Sequence, residues 1–174
     1  MTTTSSNPGG RPIYLMLRMK PPWVFMDEIR RFVESFCACA CPGQSREAQI
    51  ALAVHELMQN AIPQAGGEDV DLTLQVDPAA NRIEIAVSNP CADGPFQELQ
   101  ARVERLNAEP DALRSYLKAM QESPTNTRGG LGLARIRFEA QLELAVLREG
   151  RRVTVLARGP LDAPMIQVPG GPHV

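Results

Sequence analysis

Ala53-Val54-His55-Glu56-Leu57-Met58-Gln59-Asn60-Ala61 lies inside an amphipathic stretch and decides how the rest of the chain is read. Ile50, Val54, Leu57 and Ala61 recur at helical spacing and form one apolar stripe. Glu56 and Asn60 fall off that stripe, one turn apart on a single face. A carboxylate placed there can orient or deprotonate a hydroxyl or water, and an amide oxygen can ligate Mg2+. A second segment complements it: Gly129-Gly130-Leu131-Gly132-Leu133, between a polar loop and a helical stretch running from Ala134 to about Ala140. Its glycines let backbone N–H groups approach phosphates closely, and the following helix turns its dipole toward an anion. Either segment alone reads as an ordinary solvated helix face or a helix-entry turn. A base, a metal-reaching amide and an anion cradle together point to a nucleotide site.

Outward from these segments the chain organises simply. Ile13 to Met19 alternates as a short strand ended by Lys20-Pro21-Pro22. From Trp23 to about Ala40 the pattern is helical, with Val24, Ile29, Phe32, Val33 and Phe36 along one side. Ser45 is the expected N-cap of the helix carrying Glu56, and Pro63 its expected stop after Ile62. Val70 to Val76 and Ile83 to Val87 alternate around an Asp77–Asn81 turn and predict an antiparallel hairpin. Asn89 to Pro95 is rich in breakers and reads as a loop. Phe96 to Asn107 and Asp111 to Glu122 predict two exposed helices separated by Pro110, and Leu142 to Leu147 with Val153 to Ala157 a second hairpin. Strand, helix, helix, two strands, helical insert, helix and two strands predict an α+β protein. The expected architecture is a two-layer α/β sandwich, a mixed and mostly antiparallel sheet covered on one face by helices.

Composition narrows the function classes. The 174 residues suffice for one domain with a sizeable core, and 44% apolar with 22% charged residues is ordinary for a soluble globular protein. A net charge of −2 gives no electrostatic reason to expect nucleic acid or an anionic membrane. No apolar run approaches the roughly 18–20 residues that span a bilayer. Residues 1–11 read as a flexible tail without a secretory layout, which makes a cytoplasmic location the expectation, and residues 159–174 read as a Pro/Gly-rich tail. Cys37, Cys39 and Cys41 alternate with alanine, a spacing that suits small apolar residues at a helix end better than zinc. His55 reads as a half-exposed helix histidine rather than a phosphoacceptor.

The two segments in this order resemble the GHKL, or histidine-kinase-like, ATP-binding domains with their Bergerat-type sandwich, and more narrowly the small bacterial anti-sigma-factor and serine-kinase branch. The resemblance covers roughly Ile13 to Arg158, placing the domain at residues 12–158. It implies Glu56 as catalytic base and Asn60 as Mg2+ ligand. It implies Gly129, Gly130, Leu131 and Gly132 as the glycine box that closes over the phosphates of ATP. Asn89 occupies the position where the family places an adenine-binding Asp, and its side-chain oxygen can still accept from an amine. Pro90 and Cys91 replace the glycines expected beside it, so the loop must differ in shape. Residues 91–128 correspond to a lid insertion, where Arg128 is placed to pair with a phosphate or to stand solvated. Leu99, Val103, Leu106, Leu113, Leu117 and Met120 form stripes that either dock on the domain or face a partner protein or a second copy. The implied function is a regulator that binds ATP-Mg2+ and a small antagonist or sigma-factor-like protein and phosphorylates it on Ser or Thr. The alternative is a non-catalytic interaction module that keeps the fold without turnover. An ATPase subunit of a DNA-repair or topoisomerase machine would need a second domain for which this sequence has no room.

Overall fold

The computed structural model describes residues 11–20, 23–122 and 130–164. In chain order the elements are β1 (Ile13–Met19), a 3-10 turn (Trp23–Phe25), α1 (Met26–Ala40), α2 (Glu47–Gln64), β2 (Val70–Asp77) and β3 (Arg82–Pro90). There follow α3 (Asp93–Ala108), α4 (Ala112–Glu122), α5 (Gly130–Phe138), β4 (Glu143–Glu149) and β5 (Arg152–Pro160). The strands form one sheet in the order β1-β2-β3-β5-β4. Every adjacent pair is antiparallel, so the sheet expected to be mixed is antiparallel throughout.

Register explains the core. Leu15, Leu74, Ile85, Ala157 and Leu144 face one another across the five strands, and Leu17, Leu72, Val87, Val155 and Val146 form the next row. Side chains alternate between faces along a strand, so these rows share one face. The helices cover that face. Met26, Ile29, Val33 and Cys37 of α1, Ile50, Val54, Leu57 and Ala61 of α2, and Leu133 and Ile136 of α5 are all buried against it. Complete burial of a side chain such as Leu74 or Ile85 is worth about 1.5–3 kcal/mol, which makes these rows the main source of stability.

Several helix ends depart from expectation. The α1 stripe runs Met26-Ile29-Val33-Cys37, so Phe32, one position out of phase, is half exposed, and Val24 lies exposed in the preceding turn. Ser45 takes φ +51°, outside the conformation of an N-cap, and Arg46 holds that position without a side-chain cap. Instead the Arg46 guanidinium, only 2% exposed, donates to the carbonyls of Pro160 and Ala140. Pro63 sits inside the last turn of α2 instead of ending it. The N–H it lacks would have bonded Gln59, an exposed residue whose carbonyl water can satisfy.

β3 does not stop at Val87. It continues through Asn89 and Pro90, which pair with Val153 and Arg152 of β5, where a loop was expected. Pro90 is tolerated as the last strand residue because the β2 ladder already ends at Ser88. α3 then starts almost at once and docks: Val103 is buried, Leu99 and Leu106 pack on the core, and Asn107 Nδ2 donates to the Leu144 carbonyl (2.9 Å). The stripe on α4 stays outside, with Leu113, Leu117 and Met120 exposed. Gly130 to Leu133, expected as a loop, are the first residues of α5. At the other end, β5 runs to Pro160 and Leu161 is buried.

Candidate functional site

Antiparallel order brings three sequence-predicted segments to one end of the sandwich. α2 leads into β2, so the end of α2 that carries Asn60 lies near Val70, and β3 ends on that side at Asn89. α5 begins there and runs toward the start of β4, at the opposite end. Asn60, Asn89 and Gly130 therefore share this end, with Glu56 one turn further along α2.

Glu56 is held closely. Its side chain is 12% exposed, and Oε1 accepts from Arg135 Nη1 at 2.8 Å. Arg135 is shared: its Nε donates to Glu139 Oε1 at 3.0 Å. Burial opposes the Arg135 charge, but the hydrogen bond it donates to Glu139 and the charges of Glu139 and Glu56 outweigh it and hold the guanidinium above its usual range. The other Glu56 oxygen lies over Gly132, where an added Cβ would stand 2.3 Å from Oε2. Gly132 and Arg135 lie on the face of α5 toward α2, and Glu139 follows Arg135 at i+4, just past the helix end. On α4, Tyr116 stacks on Phe138 with ring centroids 5.2 Å apart. Burial first, then the Glu139 carboxylate, pushes its phenol up.

The other predicted residues differ in fit. Asn60 Nδ2 is buried and has no hydrogen-bond partner, an expensive state for an amide unless something else occupies the site. Among the described residues, nothing lies within 4 Å of a Cβ added at Gly130, the first residue of α5. The missing side chain of Gly132 makes room for Glu56. Asn89 is buried and turned back on its own strand, with Nδ2 donating to the Pro90 carbonyl at 2.7 Å. Arg128 and Gly129 lie outside the described residues. His55 is half-buried, its Nε2 2.7 Å from Gln59 Nε2 and its Nδ1 buried without a partner.

Two grooves open on the helical layer. One, of about 360 Å3, has Glu56, Arg135 and Glu139 in its lining, with His55 and Arg30 across it. The other, of about 1090 Å3, runs between α3 and α4 to Gly130 and Leu131. Neither is lined by Asn60 or Asn89. The cysteines are free thiols; Cys37 and Cys41 are buried and Cys39 is exposed. Among the described residues no group of His, Cys, Asp or Glu is arranged to hold a metal ion, and no helix is long and apolar enough to cross a membrane.

The sequence profile of the histidine kinase-like ATPase domain matches residues 25–155, most of the chain. The chain belongs to that family. Its histidine kinase-like domain is also similar to a chain in the crystal structure of the SiaB-SiaC complex from Pseudomonas aeruginosa. The TM-score is 0.64 at 15% identity, covering 83% of this chain and 88% of that one. No curated protein matches it in sequence. On the phosphate side, the residues that would hold ATP-Mg2+ are Asn60, whose buried Nδ2 lacks a partner, and Gly130 at the start of α5. On the base side, Asn89 donates through Nδ2 to the Pro90 carbonyl, a bond that does not use its side-chain oxygen.

Arg135, Glu139 and Tyr116 were not singled out from sequence. The signal for the first two was present as Gly132-x-x-Arg135-x-x-x-Glu139, but it becomes visible only when the helix is started at Gly130 rather than at Ala134.

Proposed function

We propose that this protein is a regulator of the anti-sigma-factor and serine-kinase kind, acting in the cytoplasm. It binds ATP-Mg2+ and a small antagonist protein, which it phosphorylates on Ser or Thr. The observation that carries this reading is the buried, unpartnered Asn60 amide one turn from Glu56, at the end of the sandwich where α5 begins. Turned about its last torsion, that amide presents its oxygen to Mg2+. The N-terminus of α5 at Gly130 offers backbone donors to phosphate oxygens. When bound, ATP supplies the γ-phosphoryl group and leaves as ADP. Glu56 takes the proton of the incoming hydroxyl, which requires that it be released from Arg135.

The partner is placed on the lid. Leu113, Leu117 and Met120 expose an apolar stripe on α4, a helix face that the described residues leave uncovered. The structural neighbour comes from a complex of two proteins, which supports a protein partner here.

Calorimetry with ATP and Mg2+ tests the site. Wild type should bind and Asn60→Ala should not, while the variant's unfolding midpoint stays the same or rises because an unsatisfied buried amide is gone. Equal nucleotide affinity in both proteins would remove Asn60 from the site. Pull-down of partners followed by phosphosite mapping tests the transfer. The Glu56–Arg135 pair favours a second reading, a non-catalytic interaction module. A stable complex without phosphate transfer would select it.

A further inference from the structure

Both oxygens of Glu56 face α5, one bonded to Arg135 and the other over Gly132, so the residue proposed as base already has a partner before any hydroxyl arrives. Arg135 has a second carboxylate, Glu139, already within hydrogen-bond distance through Nε and Nη2 (3.0 and 3.5 Å). Releasing Glu56 therefore leaves the guanidinium still paired, which lowers the cost of release. Glu139 in turn faces Tyr116 of the lid helix α4. The contacts run lid, Glu139, Arg135, Glu56, along the wall of the smaller groove.

We infer that Arg135 is an autoinhibitory latch on Glu56, and that Glu139 is the alternative partner onto which Arg135 withdraws when the lid and groove engage the acceptor protein. This rests on the reading of Glu56 as the base. Arg135 is thus a positioning residue, and the two carboxylates that compete for it should have opposite effects on rate.

The test uses the full chain and the acceptor protein recovered by pull-down. Arg135→Gln should raise phosphoryl transfer at saturating ATP by about tenfold, the rate equivalent of one part-buried ion pair. Glu139→Gln should lower it by a similar factor, because Arg135 then has only Glu56 to bind. In the nucleotide-free protein, urea unfolding of Glu56→Gln, Arg135→Gln and the double variant should be non-additive by about fivefold in the unfolding constant. An additive cycle overturns the latch. So does equal or lower transfer by Arg135→Gln, or silence of both wild type and Arg135→Gln when calorimetry shows that both bind ATP. If Glu56→Gln transfers phosphate as well as wild type, the base assignment falls and the latch with it. If Glu56→Gln is inactive and Arg135→Gln is not faster, the latch alone falls.

Discussion

Gly132→Ala isolates the packing of Glu56 against α5. Gly132 is a helical residue with ordinary negative φ, so backbone propensity alone should make alanine more stable by about 1 kcal/mol. The added Cβ, however, would lie 2.3 Å from Glu56 Oε2 and 3.1 Å from its Cδ. These are the far atoms of a flexible side chain, so Glu56 moves and the helices do not. Moving it breaks the 2.8 Å bond to Arg135 and forces a poorer rotamer, together about 2–3 kcal/mol for a pair this shielded. The net loss is about 1–2 kcal/mol, or roughly 0.5–1 M in the urea midpoint. Gly130→Ala, which meets nothing within 4 Å, is the control and should be neutral or stabilising by a few tenths of a kcal/mol, roughly the propensity gain at a helix start. Adding Glu56→Ala to Gly132→Ala should recover only the rotamer strain, because the bond to Arg135 is lost either way. A Gly132→Ala protein as stable as wild type would refute the account of why this position is glycine.

Arg46→Met should cost about 2–4 kcal/mol by chemical denaturation, because it leaves the Pro160 and Ala140 carbonyls without their charged donor. An unchanged midpoint would mean that methionine packing replaces those bonds. A thiol reagent at pH 8 should label Cys39 rapidly and Cys37 only on unfolding, since burial first, then Cys41 and Glu47, holds the Cys37 thiol at a pKa of about 12 and little thiolate forms. Peptide mass spectrometry showing equal labelling rates would contradict this. Leu117→Glu should weaken partner capture at least tenfold while shifting the melting temperature by less than about 2 °C, the response expected of an exposed side chain. Loss of both capture and stability would place Leu117 in the fold instead.

The sheet and helical layer were legible because period-2 and period-3.6 patterns are written in buried apolar residues, as in Leu72-Leu74-Val76 or Val54-Leu57-Ala61. Failures lie where a local signal lost to a tertiary contact. Ser45 has the chemistry of an N-cap, yet the chain turns left-handed there and Arg46 reaches carbonyls far along the sequence. Asn89-Pro90 reads as a break, yet β5 supplies a partner strand. The glycine segment reads as a loop, yet Leu133 and Ile136 need helical phase to reach the core. Sequence proposed Glu56, Asn60 and Gly130 as parts of one site, and the fold sets Asn60 and the start of α5 at the same end of the sandwich. It did not anticipate that Arg135 would claim Glu56 or that Asn89 would bond its own strand, because both depend on which side chains meet across elements.

The Arg46 contacts also bear on how the chain is made. The start of α2 is fastened to carbonyls at positions 140 and 160, and the central strand β3 is bordered by the last strand. A chain emerging from the ribosome at about 5–20 residues per second would hold α1, α2 and the first hairpin for several seconds with the Arg46 guanidinium unsatisfied and one edge of β3 bare. During that interval the nascent segment has both a charge without its acceptors and a strand ready to pair with a neighbour. Early chaperone contact, and a sharp loss of soluble yield on truncation before Pro160, follow from where two carbonyls lie.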